Sequence, residues 1–179
     1  MSALPPSEFS RIIDLRQIPP ASVTLVASED ERRALAARFS LVRVDHLEAV
    51  LALVVDGKVV TASGRFHASW VQPCAISGED LPQSANEPLV LRFVPPGTDP
   101  APAEEFEITE SDCDEIEYSG STFDLGEAVA QSLGLAVDPF AEGPHAETAR
   151  KAAGIVSEEA TGPFSALAGL KLGKDDQGA

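Results

Sequence analysis

Two runs of alternating apolar and polar residues meet at Asp56-Gly57, and this junction constrains the fold more than any other part of the chain. Asp-Gly favours a two-residue type I′ turn, because both residues tolerate positive φ. Folding the chain there places Leu53 opposite Val60, Leu51 opposite Ala62, Ala49 opposite Gly64 and Leu47 opposite Phe66. These residues share one face, and all but Gly64 are apolar. The other face carries Glu48, Thr61, Ser63, Arg65 and His67. A slip of one residue would turn the apolar set to solvent, so the register that the turn chooses is also the one the pattern needs. Carried further, the register sets Arg43 against Trp70. That breaks the pattern and predicts a bulge or strand end near Asp45-His46.

The flanking segments add further elements. Phe9 to Leu15, with Ile12 and Ile13, reads as a short strand that Pro19-Pro20 breaks. Val23 to Ala27 alternates as a second strand. Ser28-Glu29-Asp30-Glu31 has the spacing of a capping box, so a helix follows with Leu35 and Phe39 on one side. Pro73 ends the second arm of the hairpin, and a further strand is expected from Pro88 to Val94. Residues 95–105 read as a mobile Pro-rich loop. Phe106 to Ile108 and Glu115 to Tyr118 can each pair briefly. Asp124 is the expected N-cap of a second helix. Its stripe is Leu125, Ala128, Val129, Leu133 and Ala136, and Asp138-Pro139 ends it. Phe123 and Ala128 sit where a hydrophobic staple would.

The expected fold is therefore α+β: a mostly antiparallel, curved sheet built on a long central hairpin and covered by two main helices. Residues 1–7 form a flexible start, 8–140 a single domain, and 141–179 a loosely ordered tail. In that tail Phe164, Leu167, Ala168 and Lys171 give segment 163–171 a short amphipathic face, with Pro163 suited to the first helical position.

Charge is distributed unevenly. The net charge is -16, yet residues 1–92 hold 11 acids against 9 Lys and Arg, and residues 150–179 hold 4 of each. Between Phe93 and Thr148 lie 14 acids and neither Lys nor Arg. Such a stretch repels phosphate and attracts basic polypeptide. No run approaches the length of apolar sequence that spans a bilayer, and Met1 to Phe9 lacks the basic and apolar regions of a secretory signal. The expectation is a cytoplasmic protein with no membrane contact, and Cys74 and Cys113 as reduced thiols.

No catalytic constellation emerges. Phosphate-binding Gly-rich loops and His-Glu-x-x-His are missing. In the expected register His46 and His67 stand directly opposite each other. With Cys74 or Glu48 they could begin a metal site, although two cross-strand histidines more often lie incidentally on a surface. A Cys74–His67 dyad has only sequence proximity behind it. The chain reads as a non-enzyme with no cofactor and no metal.

Three blocks, taken in order, resemble one family. They are Val71-Gln72-Pro73-Cys74 running on to Pro95, Ile116-Glu117-Tyr118 leading through Asp124-Leu125-Gly126-Glu127 to Asp138-Pro139, and Pro163-Phe164-Ser165-Ala166-Leu167-Ala168. Together they resemble the YceD family of large ribosomal RNA subunit accumulation proteins, in its alphaproteobacterial branch. Cys74, Asp124, Leu125 and Pro139 are the positions that carry the family motif. Many members place a Cys-x-x-Cys knuckle where this chain has Cys74-Ala75-Ile76-Ser77, and serine is a poor zinc ligand. The resemblance implies a role in ribosome biogenesis, through accumulation of large-subunit rRNA.

Charge narrows that role to binding a basic ribosomal protein or assembly factor. The candidate contact residues are Glu104, Glu105, Glu107, Glu110, Asp112, Asp114, Glu115 and Glu117, with Phe164 and Leu167 of the tail. The alternative is direct binding of rRNA by Arg32, Arg33, Arg43, Arg65 and Arg92, which requires that these arginines converge.

Overall fold

The computed structural model describes residues 7–97 and 115–154. The expected loop 95–105 lies largely outside them, and so do Phe106 to Ile108, Cys113 and the segment 163–171. The fold is α+β, and the chain divides into two compact units. The larger holds residues up to Pro73 and from Asp80 to Pro139. The smaller holds Cys74–Glu79 with the chain from Phe140 onward.

In the larger unit the strands are β1 (Ile12–Asp14), β2 (Val23–Val26), β3 (Arg43–Asp56), β4 (Val59–Pro73), β5 (Asp80–Val94), β6 (Glu115–Glu117) and β7 (Thr122–Asp124). Five form one sheet in the order β2-β3-β4-β5-β6, antiparallel except for the β5–β6 pair. β1 and β7 make a separate antiparallel ribbon. Two helices, α1 (Glu29–Arg38) and α2 (Leu125–Ala136), share one core with the sheet. Leu35 comes from α1, Leu125, Val129 and Leu133 from α2, and Leu47, Leu51, Val60, Phe66 and Phe93 from the strands.

The central hairpin keeps the expected faces but not the expected partners. Leu53 lies opposite Ala62, Leu51 opposite Gly64, Ala49 opposite Phe66 and Leu47 opposite Ala68. The turn is Gly57-Lys58, flanked by the pair Asp56 and Val59. Gly57 takes φ 60°, and Lys58 does not follow it into the left-handed region. Glycine in the first central position and an ordinary residue in the second is the type II′ arrangement. The change moves each partner by two residues, so parity survives and every side chain stays on its expected face. The bulge also lies where expected, with the register shifting between Val44 and His46. At Gly64 the strands come so close that a Cβ would sit 2.0 Å from the Val50 carbonyl oxygen.

β5 begins at Asp80, well before the expected start at Pro88. Pro82 and Pro88 are an even number of residues apart, so their missing N–H groups fall on the same side of the strand. Along Asp80–Leu91 the only partner among the described residues is β4, and among those residues nothing pairs with the other side. Proline is tolerated there, because no ladder bond is lost. Buried polar atoms are satisfied where β4 ends. Trp70 Nε1 donates to Gln72 Oε1 (2.8 Å), and Gln72 Nε2 donates to the Asp138 carbonyl (2.5 Å).

Both helix starts follow their caps. Ser28 Oγ accepts from the Glu31 N–H, and the Glu31 carboxylate accepts from the Ser28 N–H. A Ser28→Ala chain should lose about 1 kcal/mol, the usual worth of such a cap, measured by urea denaturation. Asp124 caps α2, accepting from the N–H groups of Glu127 (3.1 Å) and Arg11 (2.7 Å).

The smaller unit contains a third helix, α3 (Ala146–Ala152), in a stretch where the sequence leads one to expect only loosely ordered chain. Its seven residues carry no large apolar side chain, so no hydrophobic period announces it. Arg150 pairs with Glu142 and Glu147 around it.

Candidate acidic interface

Of the acids expected to meet a partner, Glu104, Glu105, Glu107, Glu110, Asp112 and Asp114 lie outside the described residues, as do Phe164 and Leu167. Glu115 and Glu117 are described and sit on β6, at the edge of the five-stranded sheet. Tyr118 closes this edge: its hydroxyl donates to the Lys58 carbonyl (2.6 Å), tying the chain after β6 to the hairpin turn. A cleft of about 250 Å³ opens beside β6, with Glu117, Asp124 and Glu127 along it and Ile116, Phe123 and Ala128 between them.

The carboxylates here are not equivalent. Glu115 is paired with Arg92 (3.0 Å). Asp124 is occupied by its cap bonds and by the Ser10 hydroxyl (2.6 Å). Glu127 binds Arg38 (2.7 Å) and also accepts from Ser7 and Gln131. The Arg38 guanidinium, together with those donors, holds the Glu127 carboxyl down at about 2. Among the described residues, only Glu117 of the four has no hydrogen-bond or ion-pair partner.

The Arg38–Glu127 pair links α1 to α2 and has a pH signature. Its folded-state pKa lies below the ordinary value for Glu, so the stabilisation is complete above about pH 4.5. It fades as pH falls toward 2, where the folded carboxyl itself becomes protonated. A Glu127→Gln chain should therefore be less stable than the parent by about 1–2 kcal/mol at pH 7. The gap should close on acidification to about pH 2. Thermal melts across that range check it.

The arginines of the alternative RNA surface do not gather in one place. Arg32, Arg33 and Arg43 line one cleft between α1 and the start of β3. Arg65 on β4 lies opposite Pro88, and Arg92 on β5 lies opposite Thr61, both directed away from the core residues of those strands. More decisive is pairing. Seven of the nine arginines bind carboxylates: Arg11, Arg16, Arg33, Arg38, Arg43, Arg92 and Arg150. Arg65 bonds the Asn86 amide oxygen, and Arg32 bonds the Ala27 carbonyl.

The turn at Gly57-Lys58, which moves each partner by two residues, prevents His46 and His67 from facing each other directly. Ser69 lies opposite His46 and Glu48 opposite His67. The two rings are diagonal neighbours 4.8 Å apart, and His46 Nε2 reaches Glu48 at 3.2 Å. Among the described residues, no three His, Cys, Asp or Glu side chains are placed to hold a metal ion.

Cys74, in the smaller unit, forms a one-thiol knuckle. Its sulfur accepts from the backbone N–H groups of Ser77 and Gly143, both at 3.3 Å. Bonds from Ser77 and Gly143 lower the thiol to about 7. The Ser77 hydroxyl donates to Glu79 (3.1 Å), and Glu79 is paired with His145 (2.5 Å). A zinc ion of the kind a paired-cysteine knuckle holds does not fit this donor set, which has one thiol and a hydroxyl already committed elsewhere. Sequence reasoning singled out Cys74 and Ser77 but did not bring Gly143 or His145, from a distant part of the chain, to the same place.

No helix among the described residues is long and apolar enough to cross a membrane. No family model, no curated protein and no solved structure matches the chain.

Proposed function

We propose that this chain is a non-enzymatic, cytoplasmic ribosome-biogenesis factor. In this reading its acidic stretch binds a basic ribosomal protein or assembly factor and so supports accumulation of large-subunit rRNA. The observation that carries the reading is the asymmetry of charge pairing. Seven of the nine arginines are spent on the chain's own carboxylates, whereas 14 acids between Phe93 and Thr148 have no Lys or Arg in their own stretch. Free RNA needs several unneutralised cations or stacking aromatics. A basic protein needs the reverse, and the surplus here is negative. The resemblance to YceD proteins supplies the ribosomal context. Held on the acidic stretch, a basic protein is kept from premature contact with RNA until the rRNA site that outcompetes the carboxylates is formed.

The test is a fluorescence titration of the labelled full chain with purified basic proteins of the large subunit and, separately, with large-subunit rRNA fragments. At least one protein should bind, and its affinity should fall as ionic strength rises above about 0.15 M. Tighter binding to the rRNA fragments than to any of the proteins would sink the reading in favour of the arginine surface.

A further inference from the structure

The cleft between α1 and the start of β3 has a volume of about 460 Å³, within the size range of small-ligand sites. Its walls carry Arg32, Arg33, Arg43, Glu29 and Asp45, and its apolar lining is Ala36, Val42 and Val44. Two of the three guanidiniums are already matched. Arg33 pairs with Glu29 (3.0 Å) and Asp30 (2.8 Å), and Arg43 pairs with Asp45 (2.8 Å). Arg32 differs. It is half-buried, one of its nitrogens donates to the Ala27 carbonyl at 2.9 Å, and among the described residues no carboxylate pairs with it. A cation drawn partly out of water without a counter-charge is costly, and an arriving anion recovers that cost. Beside it Val42 is 47% exposed, an apolar surface with nothing over it among the described residues.

We propose that this cleft binds a single carboxylate carried on an apolar body, presented by a protein partner, with Arg32 taking the carboxylate and Val42 the apolar part. A polyphosphate backbone suits it less. Glu29 and Asp45 line the cleft beside the arginines, and each phosphate after the first would come closer to a carboxylate. A lone anion held at Arg32 meets less of that repulsion. The site is separate from the acidic interface and does not depend on it.

The probe is N-acetyl-leucine, which has one carboxylate on a branched apolar body, titrated into the full chain and followed by NMR. The expected result is saturable shifts of the Arg32 Nε–H and of the Val42 methyls, at roughly millimolar affinity for so small a ligand. N-acetyl-leucinamide, which lacks the charge, should bind at least about tenfold more weakly. Arg32→Gln should remove the binding, and Arg32→Lys should retain part of it. Val42→Ser should weaken it with Arg32 intact, which separates loss of the site from loss of the fold. Equal binding of the amide, or no saturable shift, overturns the proposal. Inorganic phosphate binding as tightly as N-acetyl-leucine overturns the apolar requirement. A uridine oligomer shifting the same resonances at lower concentration assigns the cleft to RNA instead.

Discussion

A Gly64→Val chain is expected to lose more than about 4 kcal/mol of stability, enough to unfold a protein of ordinary stability at moderate temperature. Gly64 sits in β4 opposite Leu51, on the central strand of the five-stranded sheet, and is itself exposed. A Cβ built there would lie 2.0 Å from the Val50 carbonyl oxygen and 3.1 Å from the Leu51 Cα. Those are backbone atoms of a strand held on both sides, by β2 and β4, so they cannot swing away as a side chain would. Relief requires parting β3 from β4, which breaks ladder bonds and opens the contacts of Leu51, Ala62 and Leu91. Alanine at the same position should act in the same direction with smaller effect. Differential scanning calorimetry reads the result as a fall in Tm of at least about 10 °C for valine. A valine variant melting within a degree or two of the parent would mean that the hairpin register described above is wrong.

The second large effect concerns binding. Changing Glu104, Glu105, Glu107, Glu110, Asp112, Asp114, Glu115 and Glu117 to their amides halves the net charge of -16. It should reduce affinity for a basic partner by at least about a hundredfold at low salt, because several charge contacts contribute together. The cost to folding should be small. Of the two described members, Glu115 has an ion pair, to Arg92, and that pair is about half exposed at 47% and 41%, where such pairs are worth little. The variant should therefore melt close to the parent while its binding fails. The salt dependence should flatten in parallel, since fewer charges remain to be screened. Retained affinity in a folded octuple variant would remove the acidic stretch from the interface.

How far sequence reached depended on the kind of signal. The faces of the hairpin were legible because alternation has a period of two, and any register that preserves parity buries Leu47, Leu51, Val60 and Phe66. The partners were not. Asp56-Gly57 and Gly57-Lys58 are both acceptable turns, and only the structure shows Gly57 in the first central position. The start of β5 was hidden because Pro82 and Pro88 lie within it, and proline fits a strand only where no ladder bond is needed. The caps at Ser28 and Asp124 were legible because they involve residues only three apart. The pairing of the arginines was not, because Arg11 finds Glu31 and Arg38 finds Glu127 across the fold. That pairing changes the functional argument most. A count of charges leaves five arginines available as an RNA surface. The structure divides them between two places, and three of the five, Arg33, Arg43 and Arg92, are already matched to carboxylates.

The central claim is that this chain meets the ribosome through basic protein rather than through RNA. Co-purification of the full chain from cells at low ionic strength, with the bound protein and the bound RNA both identified, tests it most directly. A basic large-subunit protein or assembly factor should be recovered. It should persist after nuclease treatment and be released by raising the salt. Recovery of large-subunit rRNA as the nuclease-sensitive link to every bound protein would contradict the account.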